Sequence, residues 1–175
     1  MGTLFVDESK SGRYILAVAV VERSDVSRLR AEVRSLVLPG QSRIHFTKER
    51  DQRKRKILSC LIDLGIQAHV FESFEKSETL ARKSCLSALV SFAAQGRHSK
   101  IVLERDESIV QSDRRILYQE SRLISPTEWL TYELEVPRKE PLLWLADVIA
   151  WSYAKGGDWQ RRVNPLISGV TKVAS

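Results

Sequence analysis

The feature that most constrains the fold is the N-terminal segment, where a short apolar run ends in two adjacent carboxylates. Residues 3–6 are mostly apolar and are followed directly by Asp7 and Glu8. A run of this length and composition predicts a buried strand. A carboxylate there is costly to desolvate unless a cation or hydrogen bonds compensate. The segment fits either a strand that leaves the core at Asp7 or a central strand whose Asp7 helps to bind a metal ion.

The segments that follow predict an α/β fold. A turn at residues 10–12 precedes a second apolar strand over residues 13–21, which is close enough to pair with the first strand as a hairpin. Further strands are predicted at residues 43–46, 66–72, 100–105 and 129–136, and helices at residues 25–36, 48–64, 75–95, 107–120 and 142–154. We therefore expect a single domain over residues 1–175.

The composition is typical of a soluble globular protein, with 43% hydrophobic and 29% charged residues. The apolar runs fall short of the roughly 18 residues that span a bilayer, and residues 15–21 lack the layout of a signal peptide. We therefore expect a cytoplasmic location and no membrane partner. Cys60 and Cys85 lie on apolar helical faces, which favours a core-filling role, and the lack of a paired Cys motif argues against a structural zinc site.

The net charge of +6 at pH 7 favours an acidic partner, of which nucleic acid is the commonest. Basic residues are densest in the first half of the helix predicted at residues 48–64. This run fits either a solvated helix face or a ridge that contacts phosphates. On the second interpretation, His45, Lys48 and Arg53 are candidate substrate-binding residues.

Acidic residues also follow the strand predicted at residues 100–105, where Glu104, Asp106 and Glu107 lie close together. Asp106 is either the N-cap of the helix that follows or a second carboxylate of a common site. A third acid, Asp147, is the only charged residue within the apolar helix predicted at residues 142–154. Such a helix is buried on nearly all sides, so Asp147 lies at a solvent gap, pairs with a distant arginine, or points into a polar pocket.

One arrangement explains all three acidic positions. Parallel neighbouring strands bring their carboxyl ends together, and a helix packed on the sheet can add Asp147 to the same place. Several converged carboxylates cannot all stay ionised without a cation, and hard oxygen ligands select Mg²⁺ or Mn²⁺. Two such ions about 4 Å apart are the usual apparatus for phosphodiester hydrolysis.

These residues resemble those of the ribonuclease-H-like superfamily of nucleases. Asp7 in Phe-Val-Asp-Glu-Ser is similar to its first-strand aspartate, Asp106 to the aspartate that ends its fourth core strand, and Asp147 to the aspartate on its last helix. The resemblance implies a mixed sheet flanked by helices, and a metal-dependent nuclease that cuts RNA or DNA by a two-metal mechanism. Asp7, Asp106 and Asp147 would then bind Mg²⁺ or Mn²⁺ and act in catalysis together with Glu8.

The chain more closely resembles a family of uncharacterised bacterial proteins with an N-terminal Asp-Glu pair and a C-terminal Leu-Gln-x-Ala-Asp-x-Ile-Ala motif. Residues 143–150 match the second motif except that Trp144 replaces the glutamine. This difference gives weight to an alternative, a catalytically inactive module of the same fold that binds nucleic acid or protein. A sugar-phosphate or nucleotide-phosphate enzyme is a third hypothesis. The fourth carboxylate stays open between Glu8, Glu104 and Glu49.

Overall fold

The computed structural model describes residues 1–124 and 129–174. The strands in this part of the chain are β1 (Gly2–Ser9), β2 (Tyr14–Glu22), β3 (Gln67–Ser73), β4 (Lys100–Glu104), β5 (Thr131–Glu135) and β6 (Ile167–Lys172). The α-helices are α1 (Val26–Arg34), α2 (Asp51–Asp63), α3 (Glu78–Gln95), α4 (Val110–Ile124), α5 (Leu142–Lys155) and α6 (Gly157–Val163). The strands form one mixed sheet in the order β5-β4-β1-β2-β3-β6.

The first strand lies at the centre of the sheet. It pairs with β2 as an antiparallel hairpin, in which Asp7 lies opposite Ala17. Gly12, at a φ of 81°, allows the turn between the two strands. On its other side β1 runs parallel to β4, with Val6 opposite Leu103. The predicted hairpin and the predicted parallel neighbour are both present. The carboxyl ends of β1 and β4 therefore lie side by side at the same end of the sheet.

Alternation along β1 distributes its side chains between two helical layers. Phe5 faces a core that it shares with α5, α1 and α2, whereas Leu4 and Val6 face a second core formed with α3 and α4. Since successive residues of a strand point to opposite faces, Asp7 lies on the α5 side and Glu8 on the α3 side. This difference decides what each carboxylate contacts.

The predicted strand at residues 43–46 is wrong. The segment has no regular structure and leads into a short 3₁₀ helix, Phe46–Lys48. Ile44 and Phe46 are both buried, so the alternating apolar pattern reflects core packing without sheet pairing. The next helix begins at Asp51, three residues later than predicted, and Thr47 does not cap it.

The C-terminal region contains more regular structure than the sequence indicated. Gly156, at a φ of 73°, ends α5 and is followed directly by α6. The edge strand β6 then pairs in parallel with β3. Neither element was predicted, because both are short and depend on packing against the rest of the fold. Within the described residues, none of the helices combines the length and apolar character needed to cross a membrane.

Candidate active site

Two carboxylates meet where β1 and β4 end. Val6 lies opposite Leu103 in the parallel register, which places the next residues, Asp7 and Glu104, side by side. Both side chains point towards the α5 layer, because each lies two residues after a strand residue of that core. The two carboxyl groups are close enough that the negative charge of Glu104 raises the pKa of Asp7. Two neighbouring ionised carboxylates repel each other, so this placement favours either protonation of one group or a cation beside both.

The third carboxylate comes from α5, which packs across β1. Asp147 is the single acid on this otherwise apolar helix, and its Oδ2 accepts a 3.1 Å hydrogen bond from the backbone N–H of Phe46. Burial raises the pKa of Asp147, while the Phe46 hydrogen bond and the positive charges of His45 and Arg43 oppose that rise. The segment that precedes the 3₁₀ helix therefore supplies the polar partners of Asp147.

The three acids interact as one electrostatic unit. Burial is the main reason that the pKa of Asp7 lies well above its ordinary value, and the negative charges of Glu104 and Asp147 raise it further. Burial likewise raises the pKa of Glu104, while the nearby charge of Arg43 opposes the rise. In the absence of a cation, this arrangement disfavours the fully ionised state of the three carboxylates.

These acids line a cleft of about 630 Å³. Its walls are formed by residues 7–11, Thr47, residues 104–107, Asp147 and Trp151. The cleft is therefore built from the ends of β1 and β4, the 3₁₀ helix and one face of α5. It brings together Asp7 and Asp147, which the sequence singled out, with Glu104, which was proposed as a rival fourth carboxylate.

Asp106 lies at the rim of the same cleft and is more exposed than the three half-buried acids. Its side chain is exposed, and its Oδ1 accepts hydrogen bonds from the backbone N–H of Ser108 at 2.9 Å and from the Ser108 hydroxyl at 2.6 Å. These two bonds lower the pKa of Asp106. They stabilise the turn before α4, which begins only at Val110. The role of Asp106 as a metal ligand stays a prediction.

Glu8 also lines the cleft, but its carboxylate interacts with the α3 layer. Its Oε2 accepts a 2.5 Å hydrogen bond from Nη1 of Arg82, which also donates to the Tyr14 hydroxyl at 2.8 Å. The same guanidinium donates to both carboxylate oxygens of Asp113, each at 2.7 Å. Glu8 is therefore held in a buried ion-pair network, directly behind Asp7.

The sequence patterns did not predict this network. Arg82 lies between Ala81 and the buried Cys85 and Leu86 on α3, and Asp113 precedes the buried Ile116 by one helical turn. Opposite charges at the core-facing positions of two different helices predict a buried ion pair, because either charge alone would be desolvated without a partner to offset the cost.

The other candidates from the sequence lie outside the cleft. Glu49 is buried, accepts a 3.2 Å hydrogen bond from Gln41 and lies 3.7 Å from Nε of Arg53. Arg53 also donates a 2.6 Å hydrogen bond to the carbonyl oxygen of Leu36, so its guanidinium holds the loop that precedes the 3₁₀ helix. His45 and Lys48 line a neighbouring hollow of about 480 Å³.

Trp144, which replaces the glutamine of the bacterial motif, is not among the residues that line the cleft. It is buried, and its indole N–H donates a 2.7 Å hydrogen bond to the carbonyl oxygen of Pro137. The tryptophan therefore has a packing role on α5 that is separate from the acidic residues.

The carboxylate oxygens of the three acids are chemically suited to bind a hard cation. Within residues 1–124 and 129–174, no group of three or more His, Cys, Asp or Glu side chains has the arrangement of a formed metal centre. Asp7, Glu104 and Asp147 nevertheless provide only oxygen donors, are desolvated and repel one another. Oxygen-only carboxylate sets of this kind select Mg²⁺ or Mn²⁺.

Comparisons with known proteins bear on the fold. No protein-family model and no curated protein matches the chain, so the resemblance to the family of uncharacterised bacterial proteins gains no support. A chain in the structure of the PCNA:RNase HII complex from Archaeoglobus fulgidus is similar, with a TM-score of 0.58 and 16% identity. The match covers 95% of this chain and 76% of that chain. With its mixed sheet flanked by helices, this chain has the ribonuclease-H-like fold.

Proposed function

We propose that this chain is a divalent-metal-dependent nuclease that hydrolyses phosphodiester bonds of RNA or DNA. The observation that carries the proposal is that Asp7, Glu104 and Asp147 line one cleft, where Asp7 and Glu104 follow paired residues of β1 and β4. The charges of Glu104 and Asp147 both raise the pKa of Asp7. Within the described residues none of these three desolvated carboxylates forms a salt bridge, and a function that supplies a cation would explain why they lie together. The ribonuclease-H-like fold supports the same proposal by analogy.

Asp7, Glu104 and Asp147 are the proposed ligands of Mg²⁺ or Mn²⁺, with Asp106 at the rim as a further ligand. When bound, the metal would supply Lewis-acid stabilisation and an activated water for phosphodiester hydrolysis. Glu8 lines the cleft as well and is proposed as a further catalytic carboxylate, in a supporting role because its Oε2 is held by Arg82. Glu8 also fixes the end of the strand that carries Asp7.

The chain's own residues have two tasks in this proposal. The Phe46 N–H orients Asp147, and the Glu8 N–H donates a 2.7 Å hydrogen bond to Oδ1 of Asp7. One oxygen of each carboxylate is therefore held in place by a backbone hydrogen bond. The basic residues His45 and Lys48 lie beside the cleft, where they can attract the phosphate backbone of a strand.

The test is cleavage of labelled RNA and DNA oligonucleotides with Mg²⁺ or Mn²⁺. Asp7→Asn and Asp147→Asn should each reduce cleavage at least a hundredfold, because each removes one proposed ligand. Asp63→Asn is the matched control, since Asp63 is an exposed carboxylate at the end of α2. Undiminished cleavage by either cleft variant would reject the mechanism.

A second measurement separates the nuclease from the inactive binding module. Mn²⁺ should raise the Tm of the parent chain and of Asp63→Asn but raise that of Asp7→Asn much less, because ligand binding stabilises the folded state. A parent chain that binds oligonucleotides, shows no Mn²⁺ effect and cleaves none of them would favour the binding module.

A further inference from the structure

A second hollow adjoins the acidic cleft and is lined mainly by polar and basic groups. It has a volume of about 480 Å³ and is formed by residues 40–43 together with His45, Lys48 and Glu49. The 3₁₀ helix Phe46–Lys48 separates it from the cleft, since Thr47 lines the cleft while His45 and Lys48 line the hollow. The two cavities are therefore neighbours along one short segment.

The acid in this hollow already has polar partners, whereas Arg43 and Lys48 form no salt bridge within the described residues. Glu49 accepts a hydrogen bond from Gln41 and lies 3.7 Å from Nε of Arg53. Arg43 uses Nε to donate a 3.3 Å hydrogen bond to the Ile44 carbonyl oxygen, and its two terminal nitrogens make no hydrogen bond within the described residues. Lys48 is exposed and forms no ion pair in the same part of the chain. The hollow therefore offers two uncommitted cationic groups to an anion.

Arg43 connects the hollow to the acids. It lines the hollow, and its positive charge acts on both Glu104 and Asp147. A guanidinium in this position can donate hydrogen bonds through two parallel N–H groups, which is the geometry that binds a phosphate in a bidentate manner. Lys48 adds a point charge from the 3₁₀ helix.

We propose that this hollow binds a backbone phosphate of the nucleic-acid strand next to the phosphodiester held at the cleft, through Arg43 and Lys48. The inference rests on the proposed function, because it takes its ligand from the strand that enters the cleft. It assigns a role to Arg43, which the basic run along α2 does not include. It also predicts that the phosphate is bound by two particular residues, and not attracted equally by every basic residue of α2.

The test is binding of a labelled single-stranded oligonucleotide, as RNA and as DNA, in the presence of EDTA and at several salt concentrations. Arg43→Gln and Lys48→Gln should each bind about tenfold more weakly. Each should also reduce the slope of log affinity against log salt by about 0.7, because one phosphate contact is lost. Arg43→Lys should keep the slope of the parent chain yet bind more weakly, since it retains the charge and loses the bidentate geometry.

Lys56→Gln is the discriminating variant, because it removes the same charge from an exposed position on α2 outside the hollow. A loss equal to that of Arg43→Gln and Lys48→Gln would overturn the inference in favour of diffuse attraction. If Arg43→Gln does not fold, Lys48→Gln decides alone, since the Lys48 side chain is exposed.

The outcome is separable from that of the proposed function, because binding is measured without metal. A chain that shows these binding losses but never cleaves would keep the hollow and reject the nuclease. A chain that cleaves, and whose two hollow variants bind as tightly as the parent, would reject the hollow alone.

Discussion

The backbone N–H of Phe46 donates a 3.1 Å hydrogen bond to Oδ2 of Asp147, joining two residues that are 101 positions apart in the sequence. The Phe46 ring packs edge-on against Trp151, with ring centroids 5.3 Å apart, one helical turn beyond Asp147 on α5. Lys54 is buried and places its ammonium 4.5 Å from the Trp151 ring centroid. An aromatic contact and a buried cation therefore fix the backbone group that orients a cleft carboxylate.

This relationship predicts that Phe46→Leu weakens metal binding in addition to destabilising the fold. The Phe46 side chain is fully buried, so its replacement should lower the free energy of unfolding by about 1–2 kcal/mol. Loss of the edge contact should also loosen the N–H that holds Asp147. We expect a severalfold lower Mn²⁺ affinity by calorimetric titration, because partners of this kind orient metal ligands.

Phe71→Leu is the matched control for this prediction. Phe71 is also buried and also has an edge-on aromatic partner, Phe92, at 5.8 Å, but it belongs to the core on the α3 side of the sheet. It should lose similar stability and keep its Mn²⁺ affinity. Equal Mn²⁺ affinities in the two variants would contradict the positioning role of Phe46.

The buried ion-pair network predicts a large loss of stability for Arg82→Met. The variant would leave Asp113, which is fully buried, without its cation, and Glu8 with only Lys10, whose Nζ lies 3.6 Å from its Oε1. Removing one partner of a buried pair costs about 3–5 kcal/mol, because the remaining charge stays desolvated. Urea denaturation should therefore show a much lower midpoint, while Lys83→Met, at the neighbouring exposed position of α3, should change it little.

The double variant Arg82→Met/Asp113→Leu tests the cause of that loss. It removes both charges of the closest pair, so it should recover part of the stability that Arg82→Met loses. A double variant that is less stable than Arg82→Met would show that the loss comes from packing and not from an unpaired carboxylate.

Two histidines predict a loss of stability in mild acid. Burial lowers the pKa of both His69 and His98, whose ring centroids lie 4.6 Å and 5.7 Å from that of Phe92. In the unfolded chain each histidine regains an ordinary pKa of about 6.5. Below that pH the unfolded state binds more protons than the folded state, so the free energy of unfolding falls as pH falls.

The measurement is urea denaturation at pH 7.5 and at pH 5.5. The double variant His69→Gln/His98→Gln should lose less stability between the two pH values than the parent chain does. An unchanged pH dependence in the double variant would contradict the prediction.

The regular elements that the sequence predicted correctly are those with a strong local pattern. The apolar runs of β1, β2, β3 and β4 and the apolar faces of the long helices are confirmed within a few residues. The α/β class and the ribonuclease-H-like arrangement are confirmed as well. Such runs are long enough that burial dictates their structure almost independently of their partners.

Elements with weak or misleading patterns were not predictable in the same way. Residues 43–46 alternate like a strand, yet the buried Ile44 and Phe46 pack into the core without sheet pairing. The strand β6 contains Gly169 and lies at the sheet edge, where it gains its structure from β3. Local sequence does not contain the partner that decides these two cases.

For the candidate site, the sequence by itself determined that Asp7 and Asp147 are acids in apolar surroundings that need compensation. Only the tertiary structure decided which acids meet. The parallel register of β1 and β4 puts Glu104 beside Asp7, while strand alternation turns Glu8 towards Arg82. A sequence records that a carboxylate is costly to bury, but the group that compensates it is set by packing between elements far apart in the chain.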